Sequence, residues 1–404
     1  MRSADDDRSA AVALDAAHRL AFLQMEFNVK GPVIAGDTIH VECEVIEARR
    51  SKNRPNRGLV RTRNMRKVGP VPSEGMGGFF LNMNCNKRSI VLDLKKSADR
   101  ATLMSLVMTA DVFVHSMRPS AAERLGISYQ ELGKENPRLV YASAGGYRND
   151  SSRRDWPAFD DVIQAASGIA AMNVVDGMPR YFPTIICDKL CGYILASSIG
   201  VALFARERTG VGQEVHVAVM DAMVGFNMIE HLWGGVIDRP DLGLGYSRML
   251  TPHRRPYKTS DGYISLLAVT DDQWSRLFAA IERPELAKDP RFLHLEDRVR
   301  NIDELYGIVV EPIKTRTTAE WQEQLNIADI PNGPVNDFQS IFTNGDLAEG
   351  HFFRRLDHPA AGRTVSMAPL ASFSRTAASL HRKPPRLGEH TEEILNELTT
   401  QTGA

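Results

Sequence analysis

The chain is poor in cysteine, with four in 404 residues (Cys43, Cys85, Cys187 and Cys191) at irregular spacing. So few thiols do not build the disulfide framework of a small secreted domain, and reduced thiols in a cytoplasm are expected. Cys187 and Cys191 stand one helical turn apart with no histidine or second cysteine pair near them in sequence. Two small thiols packed beside a helix start are expected there, not a metal site. Net charge is almost missing too: 49 basic against 50 acidic residues leave −1. That excludes the broad basic footprint by which proteins hold nucleic acid or an anionic membrane. Long hydrophobic runs are scarce. The longest, Ile194 to Ala205, is interrupted by Ser197 and Ser198 and is too short to span a bilayer. The first twenty residues start acidic and show no signal-peptide core. No GxGxxG, Walker loop or HExxH occurs, and no Ser-His-Asp arrangement follows from spacing.

What is there is the balance of a soluble α/β protein, long enough for two or three domains. The first 78 residues have their own texture. Thr38 to Val45 alternates apolar and polar, Pro55 and Gly58 mark a turn, and "LVRTRNMRK" alternates again. This predicts a basic β-hairpin, followed by a Gly/Pro-rich linker over 68–78. From Phe79 the pattern becomes strand (88–96), helix (97–110, capped by Ser97), strand (111–117), short helix (120–127) and strand (137–147). Such alternation predicts a parallel sheet with crossover helices, whose ligands bind outside the carboxyl ends of the strands. A polar loop (148–157) and a helix broken near Gly168 follow. A long helix then opens at Asp188 and stops at Thr209–Gly210, and 212–234 gives another strand and helix. The stretch 235–250 is a boundary, 255–269 a hairpin turning at Asp261–Gly262, and charged helical sequence runs on to about 330. The expected division is therefore 1–78, a large domain over 79–235, a small one over 236–340, and a return to the large domain over 341–404.

Within "PTIICDKLCGY" (183–193) a single carboxylate, Asp188, stands at the mouth of a helix loaded with Gly, Ala and Ser. It can be a helix cap, a buried structural ion or a nucleophile. Small residues let another backbone or a ligand approach closely, and a poorly solvated carboxylate attacks activated acyl groups well. Lys95, Arg118 and Arg124 follow or flank strand ends, where they can hold phosphates or simply face solvent. Gly145–Gly146 after a strand, and Gly243 and Gly245 in the boundary loop, suit either close ligand approach or plain turns.

Eight blocks carry a resemblance: "FFLNMNCNKRSIVLDLKK", "HSMRPSAAERLGI", "NPRLVYASAGGY", "FDDVIQAASGI", the run from Cys187 to Val224, "PHRRPYKTSDGYI", "IPNGPVND" and "PPRLGEHTEEIL". In this order, over about four-fifths of the chain, they resemble the class III CoA-transferases of the formyl-CoA and crotonobetainyl-CoA/carnitine type. The resemblance implies an α/β fold: a Rossmann-like large domain with an inserted smaller α+β domain, in an interlocked homodimer. It implies that Asp188 is the catalytic nucleophile, forming an anhydride and then an aspartyl-CoA thioester. It also implies that Leu92, Asp93, Leu94, Lys95, Ser116, Met117, Arg118, Arg124, Gly145 and Gly146 match positions that hold CoA. Relatives can have Lys where Gly145 stands. Coenzyme A would come and go as acyl-CoA, with no permanent cofactor, no metal, and no nucleic-acid or membrane partner. Gly243, Gly245, Arg254 and Arg255 are candidates for the acceptor pocket, and the two arginines suit a second carboxylate. The related α-methylacyl-CoA racemases resemble "GHD" where this chain has "AFD" (158–160), so Phe159 replaces their proton-abstracting His. Residues 30–66 instead resemble part of a MaoC-like hotdog hydratase, and the usual first βα unit of the family is not recognisable. A silent CoA-binding or scaffold protein is therefore the alternative expectation.

Overall fold

The computed structural model describes residues 38–42 and 65–402. The chain divides into two compact units, one of Met1–Asn227 with Gly350–Ala404 and one of Met228–Glu349.

In the first unit the chain runs β1 (Thr38–Glu42), β2 (Lys87–Val91), α1 (Ser97–Thr109), β3 (Val112–His115), α2 (Pro119–Leu125), α3 (Tyr129–Glu135) and β4 (Val140–Gly145). After α4 (Asp160–Ala166) and α5 (Ile186–Thr209) comes β5 (Glu214–Ala218). β3, β4 and β5 lie side by side in parallel, with β4 in the middle and His115, Ser143 and His216 in register. β4 explains itself. Val140, Ala142 and Ala144 point to one face, where they meet Ile163 of α4 and Cys187, Cys191, Leu195 and Ile199 of α5. Tyr141 points to the other, packed with Leu103 and Leu106 of α1, Ala122 of α2 and Leu132 of α3. A strand covered by helices on both sides must be apolar almost throughout, as β3 and β4 are.

Among the described residues of the first 78, the strand Thr38–Glu42 has its partner outside that stretch. β1 pairs in parallel with β2, from Thr38 opposite Lys87 to Glu42 opposite Val91. The expected turn at Pro55–Gly58 and most of the return strand lie outside the described residues, as does most of the hotdog-like stretch. The part that is described, Met65–Lys67, is a 3-10 turn. Period-two alternation marks a strand but says nothing about whether its partner runs parallel or antiparallel.

α5 stops where expected and starts at Ile186, two residues before the expected start at Asp188. It spans 24 residues, enough by length and composition to cross a membrane. Cys187, Cys191, Leu195, Ile199, Ala202 and Arg206 form a buried stripe along it against the sheet, which is the pattern of a core helix. Gly210, at φ +77°, ends it.

The second unit has a core of its own around Trp274, Phe278, Tyr306, Val309 and Trp321. Tyr257–Lys258, Tyr263–Leu266 and Asn332–Pro334 form a small antiparallel sheet, with the expected turn at Asp261–Gly262.

Candidate active site

α5 begins without a cap of its own, since Ile185 at the N-cap offers no side-chain acceptor. Free first-turn amides inside a protein need a partner. That partner is Asp160, the first residue of α4. Its Oδ2 accepts the backbone N–H of Cys187 at 2.9 Å and of Asp188 at 3.3 Å. Its Oδ1 accepts Gln164 Nε2 at 2.5 Å. Gln164 in turn accepts the amide of Phe182 at 2.8 Å and donates to the carbonyl of Thr184 at 3.2 Å. One buried amide and one buried carboxylate thus fasten the segment leading into α5 and the first turn of that helix.

Asp188 is therefore not the cap. It is the third residue of the helix, 6% exposed, and its Oδ2 is buried with no hydrogen-bond partner among the described residues. Burial first, then the carboxylates of Asp160 and Asp161, push its carboxyl up to about 8. A buried acceptor with nothing to accept is costly to keep, and such costs gather at functional sites. The carboxylate here is poorly solvated and pressed by like charge, which strengthens it as a nucleophile once ionised. The neighbouring thiols do not compete. Burial pushes both Cys187 and Cys191 up to about 12, so both stay protonated.

The other sequence-derived residues fall into two groups. Met117, Arg118, Gly145 and Gly146 lie at the carboxyl ends of β3 and β4, as a ligand site on such a sheet requires. A Cβ at Gly146 would stand 2.3 Å from that of Ala158, two residues before Asp160, so only glycine fits there. Arg118 donates to the carbonyl of Asp155 at 3.2 Å. Ser116 is half-buried between His115 and Met117, and Arg124 is exposed on the last turn of α2. The second group follows β2. The side chain of Leu92 is in the core, leaving its backbone for any ligand, and Leu94 packs partly against the same core. Asp93 accepts the amide of Lys95, whose side chain is exposed. Gly243, Gly245, Arg254 and Arg255 belong to the second unit. There both glycines take positive φ, and both arginines are exposed.

Three residues that the sequence did not single out share a polar row across the sheet. His216 pairs through Nδ1 with the Ser143 hydroxyl at 2.8 Å and through Nε2 with the Tyr147 carbonyl at 3.1 Å. The Tyr141 hydroxyl donates to the carbonyl of Ile127 at 3.0 Å and so accepts from His115 Nε2 at 2.6 Å. His115 Nδ1 accepts the amide of Met117 at 3.0 Å. These bonds fix one neutral tautomer, and burial followed by His216 pushes His115 down to about 3. The row lines a cleft of about 160 Å³ with Tyr129, Asn149 and Arg154.

Residues 60–391 match CoA-transferase family III. The chain belongs to that family. It is a CoA-transferase, and it is similar to an acetyl-CoA:oxalate CoA-transferase of Acetobacter aceti, at 34% identity over 264 residues, 64% of this chain and 67% of that one. A succinyl-CoA:mesaconate CoA-transferase of Haloarcula hispanica is 29% identical over 362 residues, 87% of this chain and 89% of its own. The crystal structure of a CAIB/BAIF family protein from Brucella suis aligns with a TM-score of 0.69 at 25% identity, covering 90% of this chain and 92% of that one. The family match starts at residue 60, inside the stretch that the sequence reading kept apart from the transferase.

Sequence reasoning did not single out two residues of this candidate site. Asp160 and Gln164 stood only inside the quoted block "FDDVIQAASGI", and Asp160 again within "AFD". A signal was present: Asp160 and Gln164 stand four apart, one turn of a helix, so both face the same way.

Proposed function

We propose that this CoA-transferase works by covalent catalysis on Asp188. The carboxylate attacks the thioester carbonyl of a donor acyl-CoA; the C–S bond breaks and the CoA thiolate leaves behind a mixed anhydride. The thiolate attacks the Asp188 carbonyl, releasing the donor acid and leaving an aspartyl-CoA thioester. The acceptor carboxylate attacks that thioester, expelling the thiolate. The thiolate then takes the acceptor's acyl group, and Asp188 is regenerated. Each step trades one activated acyl for another, so the reaction needs no net proton, electron or metal. The observation that carries this reading is the buried, unpartnered Oδ2 of Asp188 on a helix start held by Asp160.

We infer a short dicarboxylate among the substrates. The names of the two relatives above include oxalate and mesaconate, and Arg254 and Arg255 supply charge of the right sign in the second unit. We further propose a Rossmann-like large domain and a homodimer in the cytoplasm, with a second copy of the chain lying along α5. Tyr193, Ala196, Ser197, Gly200, Val201 and Phe204 form an exposed stripe at helical spacing on that helix, and a Cβ at Gly192 or Gly200 would meet nothing within 4 Å.

Intact-mass analysis with succinyl-CoA and other acyl-CoAs, trapping with hydroxylamine or borohydride, tests the chemistry. An adduct on the wild type and none on Asp188→Asn is expected. Turnover without any Asp188-dependent adduct would refute the covalent route.

A further inference from the structure

Two buried carboxylates meet at the first turn of α5, and the fold treats them oppositely. Asp160 accepts from three N–H groups: the amides of Cys187 and Asp188 on Oδ2, and Gln164 Nε2 on Oδ1. Gln164 is not free to present its oxygen instead. Its Oε1 is committed to the amide of Phe182, and its Nε2 also meets the carbonyls of Phe182 and Thr184 at 3.4 and 3.2 Å. These partners all donate, so they suit an anion; a protonated Asp160 would find no acceptor among them. Asp188 Oδ2 accepts nothing among the described residues. The other titratable groups bearing on Asp188 are Asp161, which adds negative charge, and the Cys187 and Cys191 thiols, which burial keeps protonated. Lys189, the next residue, is turned to the Thr184 hydroxyl at 2.6 Å. Covalent transfer changes the charge of this pair. In the first half-reaction the Asp188 carboxylate and an acyl-CoA give the aspartyl-CoA thioester and the free donor acid. The acyl C–S bond and one Asp188 C–O bond break, an Asp188 C–S bond and an acyl C–O bond form, and the negative charge leaves with the acid. Two charges stand at the helix start before the step and one after it.

We propose that Asp160, held as an anion by Gln164 and the α5 amides, is the fixed charge that drives Asp188 into its uncharged CoA-thioester state. Asp160 is a positioning residue: it acts through Asp188, and Gln164 acts through Asp160. The proposal rests on the covalent route through Asp188.

Intact-mass analysis of the full chain, equilibrated with succinyl-CoA and succinate and no other acceptor, reads the fraction loaded with CoA. At pH 9, where Asp188 is ionised, Asp160→Asn should load about tenfold less well than the wild type, the scale of one pH unit of like-charge repulsion. At pH 5 Asp188 starts protonated in both proteins, so the gap should close. Asp160→Glu keeps the charge and should keep most of the wild-type loading at pH 9. A merely structural role would give an offset that does not change with pH. The wild type alone supplies a second readout that needs no variant to fold. Below about 8, loading starts from protonated Asp188, and an Asp160 surrounded by donors does not take up that proton. About one proton per site should therefore reach the medium as the adduct forms, to be taken back in the second half-reaction. A pH indicator in weak buffer at pH 7 measures it. Equal loading of wild type and Asp160→Asn at pH 9, a gap of the same size at pH 5 and pH 9, or adduct formation without proton release would each overturn the proposal. No adduct on the wild type would overturn the covalent route itself, and the proposal with it.

Discussion

Replacing Asp188 by Asn should make the protein inactive and, above mildly acidic pH, more stable. The sign follows from proton linkage. In the unfolded chain an Asp carboxyl loses its proton near its ordinary value of 3.8, whereas in the folded protein Asp188 keeps it up to about 8. Between those values the native state holds a proton that the unfolded state has shed, so stability falls as pH rises through the window. It levels off above the folded value. One pH unit is worth about 1.4 kcal/mol, so the ceiling at pH 7 is about 4 kcal/mol. Relaxation and water entry around the charge reduce this to about 2–3 kcal/mol. Asn is neutral in both states and removes the dependence. The gap between variant and wild type should therefore be smallest near pH 4 and widen toward pH 8. Urea denaturation of both proteins at pH 4.5, 6, 7 and 8 measures it, with m-values checked for constancy. A gap that stays flat with pH, or that shrinks as pH rises, would refute the claim that Asp188 is a destabilised buried carboxylate. A constant offset in either direction would reflect only the fit of the amide.

The same titration should appear in catalysis. At neutral pH most of the free enzyme holds Asp188 protonated, so kcat/KM should rise with pH to a plateau above about 8. In Asp160→Asn the nearest like charge is gone while an oxygen remains for the amides of Cys187 and Asp188, so that limb should move to lower pH; an unmoved limb would remove Asp160 from the electrostatics. Asp160→Ala should instead cost about 1–2 kcal/mol in chemical denaturation, because the α5 amides lose their acceptor. Gly146→Ala forces a methyl to within 2.3 Å of Ala158 Cβ, and should lower activity and cost about 1–3 kcal/mol in the same assay. Phe204→Glu, placed in the exposed stripe of α5, should shift the molar mass seen by light scattering from dimer to monomer.

Much of this protein is written in local sequence. The strand at Thr38–Glu42, the helix stop at Gly210 and the turn at Asp261–Gly262 follow from backbone preferences that act over a few residues, and they stand where the pattern placed them. Asp188 was visible as a lone carboxylate at a helix start, and the eight ordered blocks pointed to acyl transfer. Local pattern could not tell whether Asp188 capped its helix, because the acceptor that took the cap's place, Asp160, lies 27 and 28 residues away from the amides it serves. Nor could it show that β1 joins β2 in parallel across some forty residues, or that His115, Ser143 and His216 fall into one row. Strand register and contacts between distant helices are set by which apolar faces bury each other, a property of the whole packed chain and of no single segment. The sequence by itself singled out Asp188; the tertiary structure decided that Asp160 takes the cap's place and that Asp188 is left buried with no hydrogen-bond partner for its Oδ2 among the described residues.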